Sequence, residues 1–408
     1  MDFRARSLGE ICTRICSGGT PKSNISEYYN NGSIPWLNTK EVSFNRIRST
    51  EKYITEEGLS NSSAKWISKN SVIVAMYGAT AGKSAIAKIP LTTNQACCNL
   101  EVNPKVADYR YVYYWLKNHY EEISSLANGG AQQNLNARQI RSFTINLPSL
   151  ENQKKIALIL DSIDTKIGLN DHINDYLLEL LKASAKNLYA DYERNVDCEL
   201  PEGWRWVEID EIAEMVCRGI TPKYNPESDE TVLGQTCVRN NLVLLENGRL
   251  HMPKKVTEKW LQKYDLLINS TGVGSLGRTA QVWFEPSKLV VDSHVTIVRC
   301  ENAKHALYLG FWAFEHEKYI ESLHTGSTGQ TELPRDHVKA IRFVLPSENE
   351  LEKFNAIAAP AVELIVANQQ ESKRLAELRD ELLPKLMSGE IDVSKIDLTQ
   401  LNNHLYGY

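Results

Sequence analysis

The sequence contains an internal repeat that extends through most of its 408 residues. The string GGTPK at 18–22 returns as GITPK at 219–223, and a strand-like segment ending in Leu-Pro stands before a long helical segment in both halves, at 144–148 and at 342–346. A separation of about 200 residues is far longer than the period of a solenoid repeat. The pattern therefore predicts a duplicated domain, each copy followed by a helix, as in a protein that reads two sites at a fixed separation.

The length and the residue usage agree with two globular domains. A chain of 408 residues exceeds what one core usually serves. No apolar run reaches the roughly 18 residues of a membrane span, and the first ten residues lack an apolar signal region. We therefore expect a cytoplasmic protein without membrane contact. The eight cysteines show no CxxC spacing, which predicts reduced and mostly buried thiols instead of a zinc site or disulfides.

The net charge of −5 hides a difference between the two halves. Residues 1–150 carry 17 Lys and Arg against 11 Asp and Glu, whereas residues 199–346 carry 17 against 20. A basic first half is compatible with contacts to phosphates. The second half must concentrate its basic groups on one face if it binds DNA.

Each half mixes short strands with one helical stretch, which predicts an α+β fold. The predicted strands and helices follow the same order in both halves: strands at 71–76 and 85–89 and a helix at 109–126, then strands at 265–269 and 280–284 and a helix at 306–323.

Two long helices with heptad seams are predicted to begin at Leu150 and Glu348, and Gly389 should end the second. Pro360 should kink the second helix. Helices of about forty residues reach roughly 60 Å, at ~1.5 Å per residue, and neither can bury its seam alone. Antiparallel pairing of the two helices would hold the domains at opposite ends of a rod. Asn170 and Asn368 occupy equivalent seam positions, and they either meet and fix the register of the pair or face solvent.

Two strings imitate nucleotide-binding motifs. GATAGKS at 78–84 is one residue short of a phosphate-binding loop, and 272–277 contains GxGxxG. Strand-like residues follow both strings, whereas phosphate and dinucleotide sites need the start of a helix there. We expect neither ATP nor a dinucleotide to bind.

The two glycine-rich turns lie at matching places in the halves, and glycine allows close backbone approach. They can present hydrogen-bond donors to phosphates and base edges, although an ordinary hairpin would have the same pattern. The candidate DNA-binding residues of the turns are Tyr77, Thr80, Lys83, Ser84, Asn269, Ser270 and Arg278.

Two polar loops, NGGAQQNLNAR at 128–138 and TGSTGQTELPR at 325–335, also correspond to each other. Asn and Gln can pair bidentately with adenine, and Arg can pair with guanine. The candidate base-reading residues are Gln132, Gln133, Asn134, Arg138, Gln330 and Arg335. The alternative is a generic surface loop.

We find no motif of a methyltransferase, nuclease, metalloprotease or serine hydrolase in the sequence. We therefore expect no catalytic residues, metal site or cofactor. The alternatives to DNA recognition are a structural coiled-coil assembly protein without sequence-specific DNA contact, and a lone nuclease or methyltransferase, which the missing cofactor motif opposes.

Several longer strings carry a family resemblance: LPEGWRW at 200–206, YYNNGSIPWLNTKE at 28–41, ENQKKIALILDSID at 151–164 and LRDELLPKLMSGEIDV at 378–393. Together they resemble the DNA specificity subunit of Type I restriction-modification systems. The first half departs from the pattern, because it opens with MDFRARSLGE instead of LPEGW. Lys22 and Lys223 stand at matching family positions and complete the set of candidate DNA-binding residues, with a structural role as the alternative.

The resemblance implies two target-recognition domains that each read one half of a split, asymmetric DNA site. It also implies two spacer helices that bind partners: modification subunits, which we expect to number two, and restriction subunits with motor and nuclease activity. This chain would then be non-catalytic. The expected boundaries are 1–149 and 197–347 for the recognition domains, 150–196 and 348–390 for the spacer helices, and 391–408 for a tail. The expected fold is thus α+β, with tandem domains joined by two long antiparallel coiled-coil helices in a pseudo-two-fold internal repeat.

Overall fold

The computed structural model of the chain describes residues 2–128, 135–253, 257–326 and 331–398. The chain divides into two compact units. The first unit combines residues 1–168 with residues 373–408, and the second consists of residues 169–372. Each unit therefore contains one half of the repeat together with parts of both long helices. The mixture of helices and strands that the sequence predicts is confirmed.

The first unit is built on two main sheets. The strands of the larger sheet, in spatial order, are Cys12–Ser17, Cys97–Val102, Val72–Ala75, Ser84–Ala87 and Asn45–Ile47. The strands of the smaller sheet are Lys52–Ile54, Ile34–Leu37, Leu91–Thr93 and Trp66–Ile67. Short helices at Leu8–Ile11, Glu56–Ser60 and Ala137–Ser142 connect or cap these strands. Apolar side chains of the larger sheet pack against the helix Tyr109–Asn118 to form the core.

The second unit repeats this plan. Its largest sheet has the strand order Ala213–Arg218, Val295–Cys300, Leu266–Asn269 and Thr279–Gln281. Its smaller sheets contain Arg249–His251, Glu230–Leu233 and Leu289–Val291, and the pair Val238–Arg239 and Leu242–Val243. Its short helices are Ile209–Ile212 and Arg335–Lys339. The first four strands of the larger sheet in the first unit have the same order and antiparallel pairing, so the repeat seen in the sequence is also a repeat of topology.

A separate pair of antiparallel strands closes each unit. Arg4–Ser7 pairs with Thr144–Leu147 in the first unit, and Arg205–Glu208 pairs with Arg342–Leu345 in the second. The opening MDFRARSLGE therefore contributes the same strand as the segment directly after LPEGW, although the two share little sequence. Pairing with a partner strand, and not local sequence, decides this element.

The single helix predicted in each half is in fact two helices. The first unit has Tyr109–Asn118 and Tyr120–Asn128, and the second has Ala303–Glu315 and Glu317–Ser322. A histidine stands at each break, and its Nδ1 atom lies close to the carbonyl oxygen of the tryptophan four residues earlier, at 2.9 Å for His119 and 2.7 Å for His316. In both units the histidine is the residue directly after the helix, so its imidazole contacts a carbonyl oxygen of the last helical turn.

The two long helices run from Leu150 to Arg194 and from Glu348 to Ser388. Gly389, with φ of 82°, follows the second helix, as predicted. The second helix is continuous through Pro360. In each unit the long helices contribute apolar side chains to the core, for example Ile156 and Leu386 in the first.

Within the described ranges, no helix combines the length and the apolar character that crossing a membrane requires. The same part of the chain contains no group of three or more His, Cys, Asp or Glu side chains that could hold a metal ion.

Candidate nucleic-acid interface

The glycine-rich turns have the same backbone construction in the two units. Gly82 N donates to Ala75 O at 2.9 Å, and Gly277 N donates to Asn269 O at 2.8 Å. Both glycines have positive φ, 84° and 82°, a conformation that other residues rarely adopt. A Cβ on Gly277 would lie 2.7 Å from Glu321 Cβ, which leaves no room for a side chain. The strands Ser84–Ala87 and Thr279–Gln281 follow the turns directly, as predicted, so neither turn leads into a helix as a phosphate-binding loop would.

The end of each polar loop is hydrogen-bonded to the beginning of the neighbouring turn. Leu135 N donates to Met76 O at 3.0 Å in the first unit, and Leu333 N donates to Ser270 O at 2.8 Å in the second. The two candidate segments, which are about 50 residues apart in the sequence, therefore converge in each unit. Four candidate residues lie outside the described residues: Gln132, Gln133, Asn134 and Gln330.

The GGTPK and GITPK strings lie against the ends of neighbouring strands, because their glycines allow close approach of the backbone. Gly19 N donates to Thr93 O, and Ile220 N donates to Val291 O, both at 2.9 Å. A Cβ on Gly18 would lie 2.0 Å from Thr93 O, so no other residue fits there. The lysines that end the strings, Lys22 and Lys223, are both exposed.

We call the polar edge of the first unit the first rim; it comprises Thr20, Lys22, Tyr77, Thr80, Lys83, Gln95 and Arg138. Thr80 Oγ1 donates to Thr39 O at 2.8 Å, and the Thr20 hydroxyl donates to Gln95 Oε1. Tyr77 and Lys83 are half-buried, whereas Gln95 is exposed. Burial raises the pKa of the Tyr77 phenol, so this group stays neutral and able to donate a hydrogen bond at physiological pH.

The corresponding second rim comprises Lys223, Gln235, Thr271, Arg278, His294 and Arg335. Gln235 Nε2 donates to Thr271 Oγ1 at 2.7 Å, and His294 Nδ1 lies 2.8 Å from the same hydroxyl. His294 is exposed, and Arg278 is half-buried. Thr271 therefore fixes two longer polar side chains at the start of the glycine-rich turn.

Sequence reasoning missed Gln95, Gln235 and His294 as residues of the rims. Gln95 and His294 follow the strands Leu91–Thr93 and Leu289–Val291, whose ends reach the turns only in the folded units. The sequence contains only a weak indication of these residues: in both halves, a polar residue follows a short strand that is rich in β-branched residues.

Three candidate residues are buried, which argues against direct contact with DNA. Ser84, Asn269 and Ser270 each have 0% of their surface exposed. Asn269 Nδ2 donates to Gln235 O at 3.1 Å, and the Ser270 hydroxyl lies 2.6 Å from Thr296 Oγ1. Because these side chains are fully buried, they are not accessible to DNA, and their place in the fold is to shape the turns.

The two candidate arginines stand at equivalent places and are exposed. Arg138 lies in the first turn of the helix Ala137–Ser142, and Arg335 begins the helix Arg335–Lys339. In the first unit, Asn136 and Gln139 form a capping box, with Gln139 N donating to Asn136 Oδ1 at 2.9 Å. Such a fixed helix start holds the arginine at a defined place beside the polar loop.

The asparagines of the long helices meet inside the second unit. Asn170 Nδ2 lies 3.5 Å from Asn368 O and 2.8 Å from Glu371 Oε2. Asn174 lies one turn further and accepts from Asn368 Nδ2 at 2.8 Å. Asn170 is fully buried and Asn368 is 8% exposed, so neither faces solvent. Because Asn174 Nδ2 also reaches Ile365 O, the contacts run in opposite chain directions, and the two helices are antiparallel here.

The chain resembles known proteins over almost its whole length. Residues 1–179 match the family model of the Type I restriction modification DNA specificity domain. The Type I restriction enzyme MjaIX specificity subunit of Methanocaldococcus jannaschii is 26% identical over 96% of this chain and 94% of its own length. The Type I restriction enzyme EcoR124I/EcoR124II specificity subunit of Escherichia coli is 33% identical over 39% of this chain and 40% of its own.

The chain is thus similar to specificity subunits of Type I restriction-modification systems. The resemblance that the sequence motifs carry is thereby confirmed. A solved structure agrees in fold: the crystal structure of a Type-I restriction-modification system S subunit from M. genitalium superposes with a TM-score of 0.62 at 18% identity, over 95% of this chain and 96% of that one. The relationship favours DNA specificity over the alternative of a purely structural coiled-coil protein.

Proposed function

We propose that this chain is the DNA specificity subunit of a Type I restriction-modification complex. Each half of the repeat reads one part of a bipartite, asymmetric target, and partner subunits methylate adenine or cleave DNA. The observation that carries the proposal is the hydrogen bond that joins polar loop to glycine-rich turn in both units, Leu135 N to Met76 O and Leu333 N to Ser270 O. In a chain related to specificity subunits, two equivalent polar rims with different side chains suit two different half-sites.

The recognition domains in this proposal are residues 1–149 and 197–347. The exposed lysines, Lys22 and Lys223, suit contacts to phosphates, which fix orientation without reading sequence. The arginines Arg138 and Arg335 suit base contacts in the major groove. Different side chains on the two rims, such as Gln95 and His294, would make the two half-sites differ.

The spacer helices, 150–196 and 348–390, would form an antiparallel coiled coil that sets the distance between half-sites, with a tail at 391–408. The hydrogen bonds that Asn368 forms with Asn170 and with Asn174 support a fixed register within the second unit. On the two long helices of this unit, five large apolar residues are exposed: Leu169, Tyr176, Leu180, Ile357 and Leu364. Apolar side chains left in water on a helix surface suit docking of a protein partner, and we assign this surface to the modification subunits, two per complex.

The chemistry in this proposal belongs to the partners. The specificity subunit holds no cofactor and carries no catalytic group, while modification subunits flip and methylate the adenine. Restriction subunits supply translocation and cleavage, and the whole complex serves DNA methylation and defence against phage.

The proposal is tested by expressing the chain with modification subunits and mapping methylated adenines by sequencing. We expect one bipartite motif with an unread spacer of constant length, and specific binding of that motif in a bandshift. Methylation that shows no sequence motif, or binding indifferent to sequence, would support the structural alternative instead.

A further inference from the structure

The guanidinium of Arg218, at the end of a strand near the second rim, joins that strand to two other segments of the second unit. Its Nη1 atom donates to Ser293 O at 3.1 Å, and its Nη2 atom donates to Leu333 O at 2.8 Å and to Glu332 Oε1 at 2.9 Å. The side chain is only 19% exposed. We call these four residues the Arg218 clamp. It connects the end of a sheet strand to the polar loop, two residues before Arg335.

The backbone carbonyl of Arg218 also accepts a hydrogen bond from a lysine side chain. Lys259 Nζ donates to Arg218 O at 2.8 Å and to Gly219 O at 3.2 Å, which places a second positive charge beneath the clamp. Glu332 also forms backbone hydrogen bonds in both directions with Thr325, at 2.8 and 3.0 Å. The backbone hydrogen bonds between Thr325 and Glu332 thus connect the two ends of the polar loop. The hydrogen bonds of Arg218 connect the loop to the sheet.

In the part of the first unit that the structure describes, no arginine stands at the position that matches Arg218. Arg218 lies opposite Thr296 in its sheet, and Ser17 lies opposite Cys98 in the corresponding place. A serine side chain is too short to span to a neighbouring loop as a guanidinium does. The clamp is therefore a feature of the second unit and does not follow from the repeat.

We propose that Arg218 is a positioning residue for the second half-site: it fixes the polar loop so that Arg335 meets its base, without touching DNA itself. This inference rests on the proposed function. Two properties favour positioning over contact with phosphate. Both terminal nitrogens of the guanidinium are engaged within the protein, and Glu332 supplies a negative charge that would repel a nearby phosphate.

The test uses the complex with modification subunits and four DNA duplexes: matched, mismatched in the first half-site, mismatched in the second, and mismatched in both. Binding is measured across a salt series for the wild type, Arg218→Ala and Arg335→Ala. Arg205→Ala is the matched control, because Arg205 is an exposed arginine of the same unit that forms an ion pair with Glu211 at 3.1 Å.

We expect Arg218→Ala to reduce discrimination at the second half-site by roughly tenfold, the effect of losing a charge-assisted hydrogen bond. Discrimination at the first half-site and the slope of affinity against salt should stay at wild-type values, and Arg205→Ala should change neither. In the background of Arg335→Ala, Arg218→Ala should add little, since both act through one contact.

Equal weakening on all four duplexes, with a salt slope reduced by about one, would make Arg218 a phosphate contact and overturn the proposal. Unchanged discrimination would overturn it as well. If Arg218→Ala does not fold, Glu332→Gln tests the proposal instead. This substitution removes the ion pair and leaves both carbonyl contacts of Arg218. We expect it to reduce discrimination at the second half-site by about threefold, and unchanged discrimination would overturn the proposal. A wild-type complex that distinguishes none of the duplexes would refute the proposed function itself, which separates the two failures.

Discussion

Asn170 Nδ2 approaches Asn368 O to 3.5 Å, and the two asparagines occupy equivalent positions of the repeat, 198 residues apart. A polar pair inside an apolar helix seam lowers stability but favours one register, because any shift would bury these amides without partners. Glu371 and Asn174 extend the pair into a network across the two helices of the second unit.

Replacing Asn170 with leucine should relax the helix register with little effect on stability. The lost hydrogen bonds, each worth about 1 kcal/mol, are offset by burial of an apolar side chain worth about 2 kcal/mol. We therefore expect urea unfolding to shift by no more than about 1 kcal/mol, while the methylation map gains sites with a second spacer length. Asn187→Leu, at an exposed position of the same helix, is the control. A single, unaltered spacer would show that Asn170 does not set the register.

In the first unit, Arg46 connects the larger sheet to the long helices. The guanidinium of Arg46 donates to Asp161 at 2.6 Å and lies 4.3 Å from the ring centre of Tyr113. Asp164 joins the cluster and accepts from Arg379 at 2.8 Å. Burial opposes the charge of Arg46, but the neighbouring tyrosines and Asp161 outweigh it, so the pKa of Arg46 lies above its ordinary value.

We expect Arg46→Met to destabilise the first unit by about 3 kcal/mol, because it removes the cation that lies 2.6 Å from the largely buried carboxylate of Asp161. The measurement is urea unfolding of the full chain, followed by the fluorescence of tryptophans. Arg48→Met is the control, since Arg48 is exposed two residues away. Equal effects of the two substitutions would mean that Arg46 contributes no more than a surface charge.

Substitution of a proposed base-reading residue should weaken recognition of one half-site only. Gln133→Ala should weaken recognition of the first half-site only, and Arg335→Ala of the second only, each by ~1–3 kcal/mol. Binding of duplexes with one altered half-site measures both effects. If either substitution leaves both preferences intact, that polar loop is an ordinary surface loop.

Lys83→Ala should weaken binding to all sequences alike, because we assign Lys83 to a phosphate. The slope of affinity against salt should fall by about one contact, and the ratio of specific to non-specific affinity should not change. Lys69→Ala, at an exposed lysine of the same unit, serves for comparison. An effect of Lys83→Ala that depends on the DNA sequence would assign this residue to base recognition instead.

The cysteines should differ strongly in reactivity. All eight are free, and Cys198 is exposed. Burial raises the pKa of Cys98 to about 12, with a smaller effect of Cys16, so almost none of this thiol is ionised at pH 8. In native protein treated with a disulfide reagent at pH 8, Cys198→Ser should remove the fastest phase, whereas Cys98→Ser should leave it unchanged. A fast phase that survives in Cys198→Ser would contradict the assignment.

The sequence by itself determined the repeat, the kinds of element in each half and the bounds of the two long helices. These features depend on periodic patterns and on residues such as Gly389 that act on their own backbone. The glycine-rich turns and the strands after them were predictable for the same reason, since positive φ at Gly82 and Gly277 is a local requirement.

Only the tertiary structure decided which polar residues of the turns reach the surface. Ser84, Asn269 and Ser270 look like binding residues in the sequence, but sheet neighbours far along the chain bury them. Gln95, His294 and Arg218 acquire their places through strand ends and loops that meet only after folding, up to 115 residues apart for Arg218 and Leu333. Short strands expose or bury a side chain according to what packs on each face, and that information is not local to the strand.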